Sequence, residues 1–142
     1  MKTIKLKITT PEKVVLEEDV SSISLPTENG EITVLPDHIA LLTSIMPGEI
    51  LARSAKGEIS MAVSGGFMEF HDNEMNILAD TAERAEEIDL ERAEKARKRA
   101  EEAKQQAGRS LDEKQYALVV SRIEKNLARI RVAKRHRHRE RN

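Results

Sequence analysis

Two pairs of arginines are the residues of this chain best placed to hold a ligand. Arg92 and Arg99 stand seven apart, and so do Arg122 and Arg129. On a helix that spacing is two turns, so each pair shares a face. In an antiparallel pair of helices, guanidinium groups from both could converge on one polyanion and clamp it. The plainer reading is exposed helix arginines matched to neighbours such as Glu91 and Glu94, and spacing alone favours it. Ile88-Asp89-x-x-Arg92-Ala93 opens the first of these segments.

Nothing in the sequence is arranged for catalysis. The phosphate-wrapping G-x-x-x-x-G-K-[ST], the dinucleotide G-x-G-x-x-G and the zinc-protease H-E-x-x-H are absent. Ser64-Gly65-Gly66 is too short to wrap a phosphate and reads as a bulge or tight corner. His38 and His71 stand alone, without ligand spacing, and read as surface or loop histidines. His136 and His138 lie in a basic run and are given no structural role. With no cysteine, the chain has no disulfide, thiolate zinc site or Cys nucleophile. The expectation is a chain that is not an enzyme and holds no metal.

Charge divides the chain. Residues 1–85 carry 7 Lys/Arg against 14 Asp/Glu, and residues 86–142 carry 17 against 11, so a net charge of −1 conceals an acidic half and a basic half. From Ser121 to Asn142 nine basic residues face only Glu124 and Glu140. An imbalance of that size marks an anionic partner. A nucleic-acid-binding module is one reading, but the tail has no aromatic residue to stack on bases. An acidic protein surface serves as well.

The elements that must position these groups follow from pattern. Ile4, Leu6 and Ile8 alternate, and apolar runs follow at Val14–Leu16, Val20–Leu25, Ile32–Leu35, Leu41–Ile45, Ile50–Arg53, Ile59–Val63, Phe67–Phe70 and Met75–Ala79. Turn residues separate them, notably Asn29-Gly30, Pro47-Gly48 and Lys56-Gly57. Many short strands at this spacing predict an antiparallel β-sandwich or flattened barrel with a core mainly of Ile, Leu and Val. After Asp80, Ala, Glu, Lys and Arg dominate and favour helix. Ala93, Ala96, Ala100, Ala103 and Ala107 form one helical seam, ended by Gly108 as a C-cap. Ser110 and Glu113 have capping-box spacing, and Tyr116, Val120, Ile123, Leu127 and Ile130 form a bulkier seam. The prediction is an α+β chain: a β-sandwich over 1–85, then an antiparallel two-helix hairpin over 86–142.

Alanine lets helices approach closely but buries little. A Leu or Ile contributes roughly 1.5–3 kcal/mol when buried, an alanine methyl about 0.8 kcal/mol. The hairpin therefore needs support from the sandwich or a partner. A gap that small is one a ligand can bias, and a static hairpin stays open beside a mobile one. No run of 18 apolar residues spans a membrane, and Met1–Thr10 lacks a signal peptide's apolar stretch, so the chain reads as cytosolic.

Several motifs resemble the epsilon subunit of bacterial F-type ATP synthase over nearly the whole chain. Leu25-Pro26-Thr27-x-x-Gly30-Glu31, then Val34-Leu35-Pro36-x-His38, looks like that family's signature, and Pro47-Gly48 and Gly65-Gly66-Phe67 fall where the family has them. Thr33 and Ala40 depart from it, in loop geometry. The resemblance implies a non-catalytic rotor subunit of the central stalk, peripheral to the cytoplasmic face of the cell membrane, coupling the catalytic head to the ring of c subunits. The gamma subunit and the c-ring would bind the sandwich. The hairpin would inhibit ATP hydrolysis by rising into the head, its basic helix meeting an acidic loop of the beta subunit. No cofactor is required and no nucleic acid is a partner on this reading.

Some bacterial members bind a regulatory ATP, with or without Mg, on the folded hairpin through I/L-D-x-x-R-A, which Ile88 to Ala93 match. By that resemblance Ile88, Asp89 and Ala93 would lie near the adenine with Glu83 adjacent, and Arg92, Arg99 and Arg122 would face the phosphates. Asn126 stands where ATP-binding relatives carry arginine. Losing that cation would cost about 1.5–3 kcal/mol, roughly tenfold to a hundredfold in affinity, and Arg129, one turn on, is the residue that could substitute.

Overall fold

Alternation builds the first half of the molecule. In β1 (Ile4–Thr9) Ile4, Leu6 and Ile8 are buried while Lys5 and Lys7 face solvent, the two-residue period of a strand with one wet face. The structure is a computed structural model that describes residues 2–107 and 111–141. Eight further strands follow: β2 (Val14–Thr27), β3 (Gly30–Val34), β4 (Leu41–Ile45), β5 (Gly48–Ser54), β6 (Gly57–Val63), β7 (Gly66–His71), β8 (Glu74–Ala79) and β9 (Ala82–Arg84). A single 3₁₀ turn (Ala85–Glu87) leads to α1 (Leu90–Ala107) and α2 (Glu113–Arg141). The expected sandwich followed by two helices is the fold observed.

One strand holds the two layers together. The runs expected at Val14–Leu16 and Val20–Leu25 are one 14-residue strand, β2. Its acidic middle suggested a break, but Glu17 and Asp19 lie opposite Lys7 and Lys5 of β1. Such opposite-charge cross-strand pairs support a strand. Val20 pairs with Ile4 of β1 on one edge and Ser54 of β5 on the other, while Ile23 pairs with Val34 of β3 and Ala52 of β5. The same edge of β2 therefore serves β1 first and β3 later, and the register slips between Val20 and Ser22 where the change occurs. The order β4-β7-β8-β1-β2-β5-β6-β9 follows, antiparallel except for the β1–β8 pair, which is parallel.

The core lies between these layers. Ile4, Leu6, Ile8, Phe70 and Ile77 come from one side, and Ile23, Leu25, Val34, Ile50 and Val63 from the other. Met61, Met68 and Met75 are wholly buried among them, so methionine takes space that the sequence reading assigned to Ile, Leu and Val. Not every apolar side chain turns inward: Leu42, Phe67 and Leu78 stand on the outer face of β4, β7 and β8, with Phe67 directly opposite Leu78 and 61% exposed. At the base of that layer Asp37 accepts from the Lys2 Nζ at 2.7 Å and from the Asn73 Nδ2 at 3.0 Å. Those donors hold its carboxyl below the ordinary carboxylate range.

The helices are capped by side chains that the sequence reading used otherwise or missed. The Asp89 Oδ1 accepts from the backbone N–H of Arg92 at 3.1 Å, so Asp89 is the N-cap of α1. At α2 the reciprocal box is Asp112 with Gln115: the Gln115 N–H donates to Asp112 at 2.8 Å, and the Asp112 N–H donates to Gln115 at 3.2 Å. Ser110, the expected cap, and Gly108, the expected C-cap, lie outside the described residues. The two helices pack against each other as an antiparallel pair, but burial is graded. Ala93, Ala100, Ala128 and Ile130 are buried near the sandwich, whereas at the far end Tyr116 is 48% exposed, with the Lys104 Nζ 5.2 Å from its ring centre.

A second face of α2 was not anticipated. Val132 and Ala133 pack on Ala62, Ala85 and Ile88, with Leu90 alongside, in a small core of their own. This covers the outer face of β6, and so Ser60, Met61, Ala62 and Val63 are buried at four successive positions. A strand reads that way when both its faces are covered.

The Gly65-Gly66 corner gives a direct test. Gly66 has φ +148° and a Cβ there would collide with the Leu78 carbonyl, whereas Gly57, at φ +126°, faces open space. Gly57→Ala should cost only backbone strain, about 1–2 kcal/mol. Gly66→Ala should cost roughly 3 kcal/mol or more. Urea denaturation midpoints of the two variants compare them directly.

Candidate functional site

The alanine seam leaves room between the helices. Ala96, Ala100 and Ala103 of α1 face Val119 of α2 across a cleft of about 320 Å³, bordered by Arg99 from one helix and Arg122 and Asn126 from the other. Apart from Arg99, the α1 side chains that line it are alanine methyls, and this is what opens it. Arg99 and Arg122, expected on one polyanion, are therefore brought to the same cleft from opposite helices. Two fixed-charge guanidiniums with ten donors between them suit an anion such as a phosphate group. The volume lies within the ordinary range for ligand clefts, on the order of 300–1,000 Å³. Among the described residues its polar lining is two guanidiniums and one amide, groups that bind an anion.

The other expected ligand residues have structural partners in this form. Ile88 is buried on Val132 and Ala133, and Ala93 is wholly buried. Asp89 caps α1, and Arg92 is exposed one turn on. Glu83, on β9, takes the Arg129 Nε, with the Arg129 Nη2 at 3.4 Å from its second oxygen. Asn126 holds that arginine in place. It is buried, accepts from the Arg129 Nη1 at 3.0 Å and donates to the Arg122 carbonyl at 2.9 Å. Arg129, considered as a substitute for the missing arginine, is thus turned to Glu83.

Sequence reasoning missed a second charged contact. Glu49 on β5 faces Arg135 and Arg139 near the end of α2. The signal available was the run Ile59-Ser60-Met61-Ala62-Val63, which does not alternate and so announces a strand covered on both sides. The basic stretch of α2 is accordingly not a bare polyanion surface. Arg129, Lys134, Arg135 and Arg139 meet Glu83, Glu94 and Glu49 from the rest of the chain. His136, given no role from sequence, lies 3.1 Å from Glu140. Among the described residues no group of His, Asp or Glu is placed to hold a metal.

Comparison with known proteins covers both halves. Residues 3–85 match the family model of the ATP synthase delta/epsilon chain β-sandwich domain, and residues 86–134 match that of the delta/epsilon chain long α-helix domain. The chain is 44% identical over 139 residues to the ATP synthase epsilon chain of Herpetosiphon aurantiacus, covering 96% of this chain and 98% of the relative. It is 42% identical over 111 residues to that of Desulforamulus reducens, covering 78% and 84%. A chain in the OSCP/F1/c-ring structure of the Euglena gracilis mitochondrial ATP synthase is similar with a TM-score of 0.70 at 28% identity, over 86% of this chain and 76% of that one.

The Glu83–Arg129 pair is testable by itself. Both side chains are partly shielded, and Asn126 fixes the guanidinium. A double-mutant cycle of Glu83→Gln and Arg129→Met should return a coupling of about 1–2 kcal/mol, above the fraction of a kcal/mol typical of exposed pairs. Chemical denaturation of the four proteins measures it.

Proposed function

The chain belongs to the ATP synthase delta/epsilon chain family and is a non-catalytic subunit of that complex, and on that premise we propose that it is a rotor subunit whose hairpin regulates ATP hydrolysis and whose cleft takes ATP as an effector. The sandwich, residues 1–85, is the stalk-binding unit, with the gamma subunit and the c-ring as its partners. The hairpin, residues 86–142, is the regulatory unit. When it leaves the sandwich, its basic second helix meets an acidic loop of the beta subunit and hydrolysis stops. The complex is the link to the cytoplasmic face of the membrane; no described helix of this chain is long and apolar enough to cross one.

The observation that carries the ligand reading is the shared cleft of Arg99 and Arg122. An anion bound there touches both helices, so it binds the closed hairpin and has nothing equivalent in an opened one. A ligand that prefers one state shifts the equilibrium toward it by its differential affinity. ATP therefore favours the closed hairpin and relieves inhibition. Phosphates fall to Arg99 and Arg122, with Arg92 of the same helix as Arg99 turned toward them. The adenine falls toward Ile88, Asp89 and Ala93, with Glu83 beside it, which requires local rearrangement because Ile88 and Ala93 are packed.

Two measurements test this. Millimolar ATP should raise the melting temperature of the full chain by a few degrees, since saturation a hundredfold above Kd stabilises by about 2.7 kcal/mol. Arg99→Ala with Arg122→Ala should remove the shift without disturbing the N-cap that Asp89 supplies; identical curves with and without ATP in the parent chain would overturn the effector role. In the assembled enzyme, deleting residues 86–142 should increase ATP hydrolysis. Unchanged hydrolysis would end the inhibitory role and leave the stalk role intact.

A further inference from the structure

Three residues stand in one row across the sheet face that α2 covers. Glu49 of β5 is paired with Ala62 of β6, and Ala62 is paired with Glu83 of β9. Residues directly paired across strands project from the same face, so both carboxylates and the small residue between them point at the helix. Ala62 packs with Val132 and Ala133, which brings α2 close. On either side of that contact an arginine reaches down: Arg129 to Glu83, and Arg139 to Glu49.

Glu49 is the more confined of the two. Its side chain is 10% exposed. Its Oε2 accepts from the Ser60 Oγ at 2.7 Å and the Arg139 Nη2 at 2.5 Å, and its Oε1 lies 3.9 Å from the Arg135 Nη1. Ser60 is itself buried and belongs to the sandwich, so it stays with Glu49 whatever the helix does. The arginines do not. A carboxylate this shielded is tolerated because charged donors meet it, and removing those donors while it stays buried is strongly unfavourable. Lifting the whole helix, by contrast, returns water to it. Such a pair adds little net adhesion but discriminates sharply between one docked register and any other.

We propose that Glu49, braced by Ser60, is a positioning residue: the sandwich's half of a latch whose other half is Arg139 with Arg135, fixing the register in which α2 docks. The proposal rests on the reading of the hairpin as a part that opens, and deepens it. The same arginines cannot serve Glu49 and an acidic partner together, so the latch makes the docked and partner-bound forms mutually exclusive. Docking is then a competition between two acidic surfaces, one of which the chain carries itself.

Hydrogen exchange of the full-length chain, resolved to segments, tests it with Glu49→Gln, Arg139→Gln and the exchanged pair Glu49→Lys with Arg139→Glu. Each single change should speed exchange of α2 amides over residues 126–139 roughly tenfold to a hundredfold, as expected for breaking a shielded charge pair. Amides of β1, β2 and β8 should not change, and the exchanged pair should restore much of the protection that a purely steric role could not recover. Helix amides that open separately from the strands, yet ignore Glu49→Gln, would overturn the latch and leave the mobile hairpin standing. Helix and strand amides exchanging together in every variant would overturn the opening itself, and the latch with it.

Discussion

Alanine brings two helices together without covering what it faces, and the behaviour of the hairpin depends on that shortfall. Near the sandwich, Ala93 and Ala100 sit against a helix that is also supported from below, and burial there is nearly complete. Toward the tip Tyr116 is half exposed, with Lys104 rather than an apolar side chain over its ring. Leu118 beside it is 61% exposed. Stability thus declines along the length of the hairpin within a single pair of helices, while the sandwich keeps a full core between two layers. Elements with thin apolar contact are the ones that open locally. The same seam creates the cleft between Arg99 and Arg122, so looseness and ligand space have one origin.

The division of charge along the sequence acquires a location in the fold. The acidic half and the basic half are not merely adjacent in the chain; Glu49 and Glu83 of one receive Arg139, Arg135 and Arg129 of the other. Most of the remaining ion pairs are exposed, such as Lys2–Asp37 and Glu91–Lys95, and exposed pairs of that kind contribute within about 1 kcal/mol. The shielded ones decide geometry. Asn126 illustrates the difference: a buried amide fixes the direction of Arg129 and ties it to the Arg122 carbonyl.

Much of the sandwich was legible because its strands have one wet face. Leu41–Ile45 was read to the residue, and most other runs differ from the strands by their turn residues. Where the signal failed, the reason is physical. β2 was divided because its charged centre looks like a loop until its lysine partners on β1 are known. β9 was unseen because Ala82, Glu83 and Arg84 are too few to show a period. The helices were legible as helices, and of the seam read on α2 Ile130 is buried, Val120, Ile123 and Leu127 are half-buried and Tyr116 is exposed. The face that is buried, with Ala128, Val132 and Ala133, is made of residues too small and too near that seam to stand apart. Of the site, the four arginines could be picked out by spacing, but their assignment could not. Arg99 and Arg122 share a cleft while Arg129 turns to an acid 46 residues earlier, and Glu49 finds its partner 90 residues later. Separations of that size carry no local pattern.

The parallel pairing of β1 with β8 has a consequence for how the chain comes into being. β1 has one neighbour, β2, close behind it in the chain, and must wait for residues 74–79 before its other edge is filled. Long-range pairings of this kind slow folding, because the intervening chain must be gathered before the contact rewards it. The two helices, rich in local contacts, can form quickly but follow the sandwich in the chain and find their seat only once β6 and β9 are in place. Synthesis order and folding speed therefore run in opposite directions along the polypeptide, and the slow all-β half must finish before the quick helical half has anything to close upon.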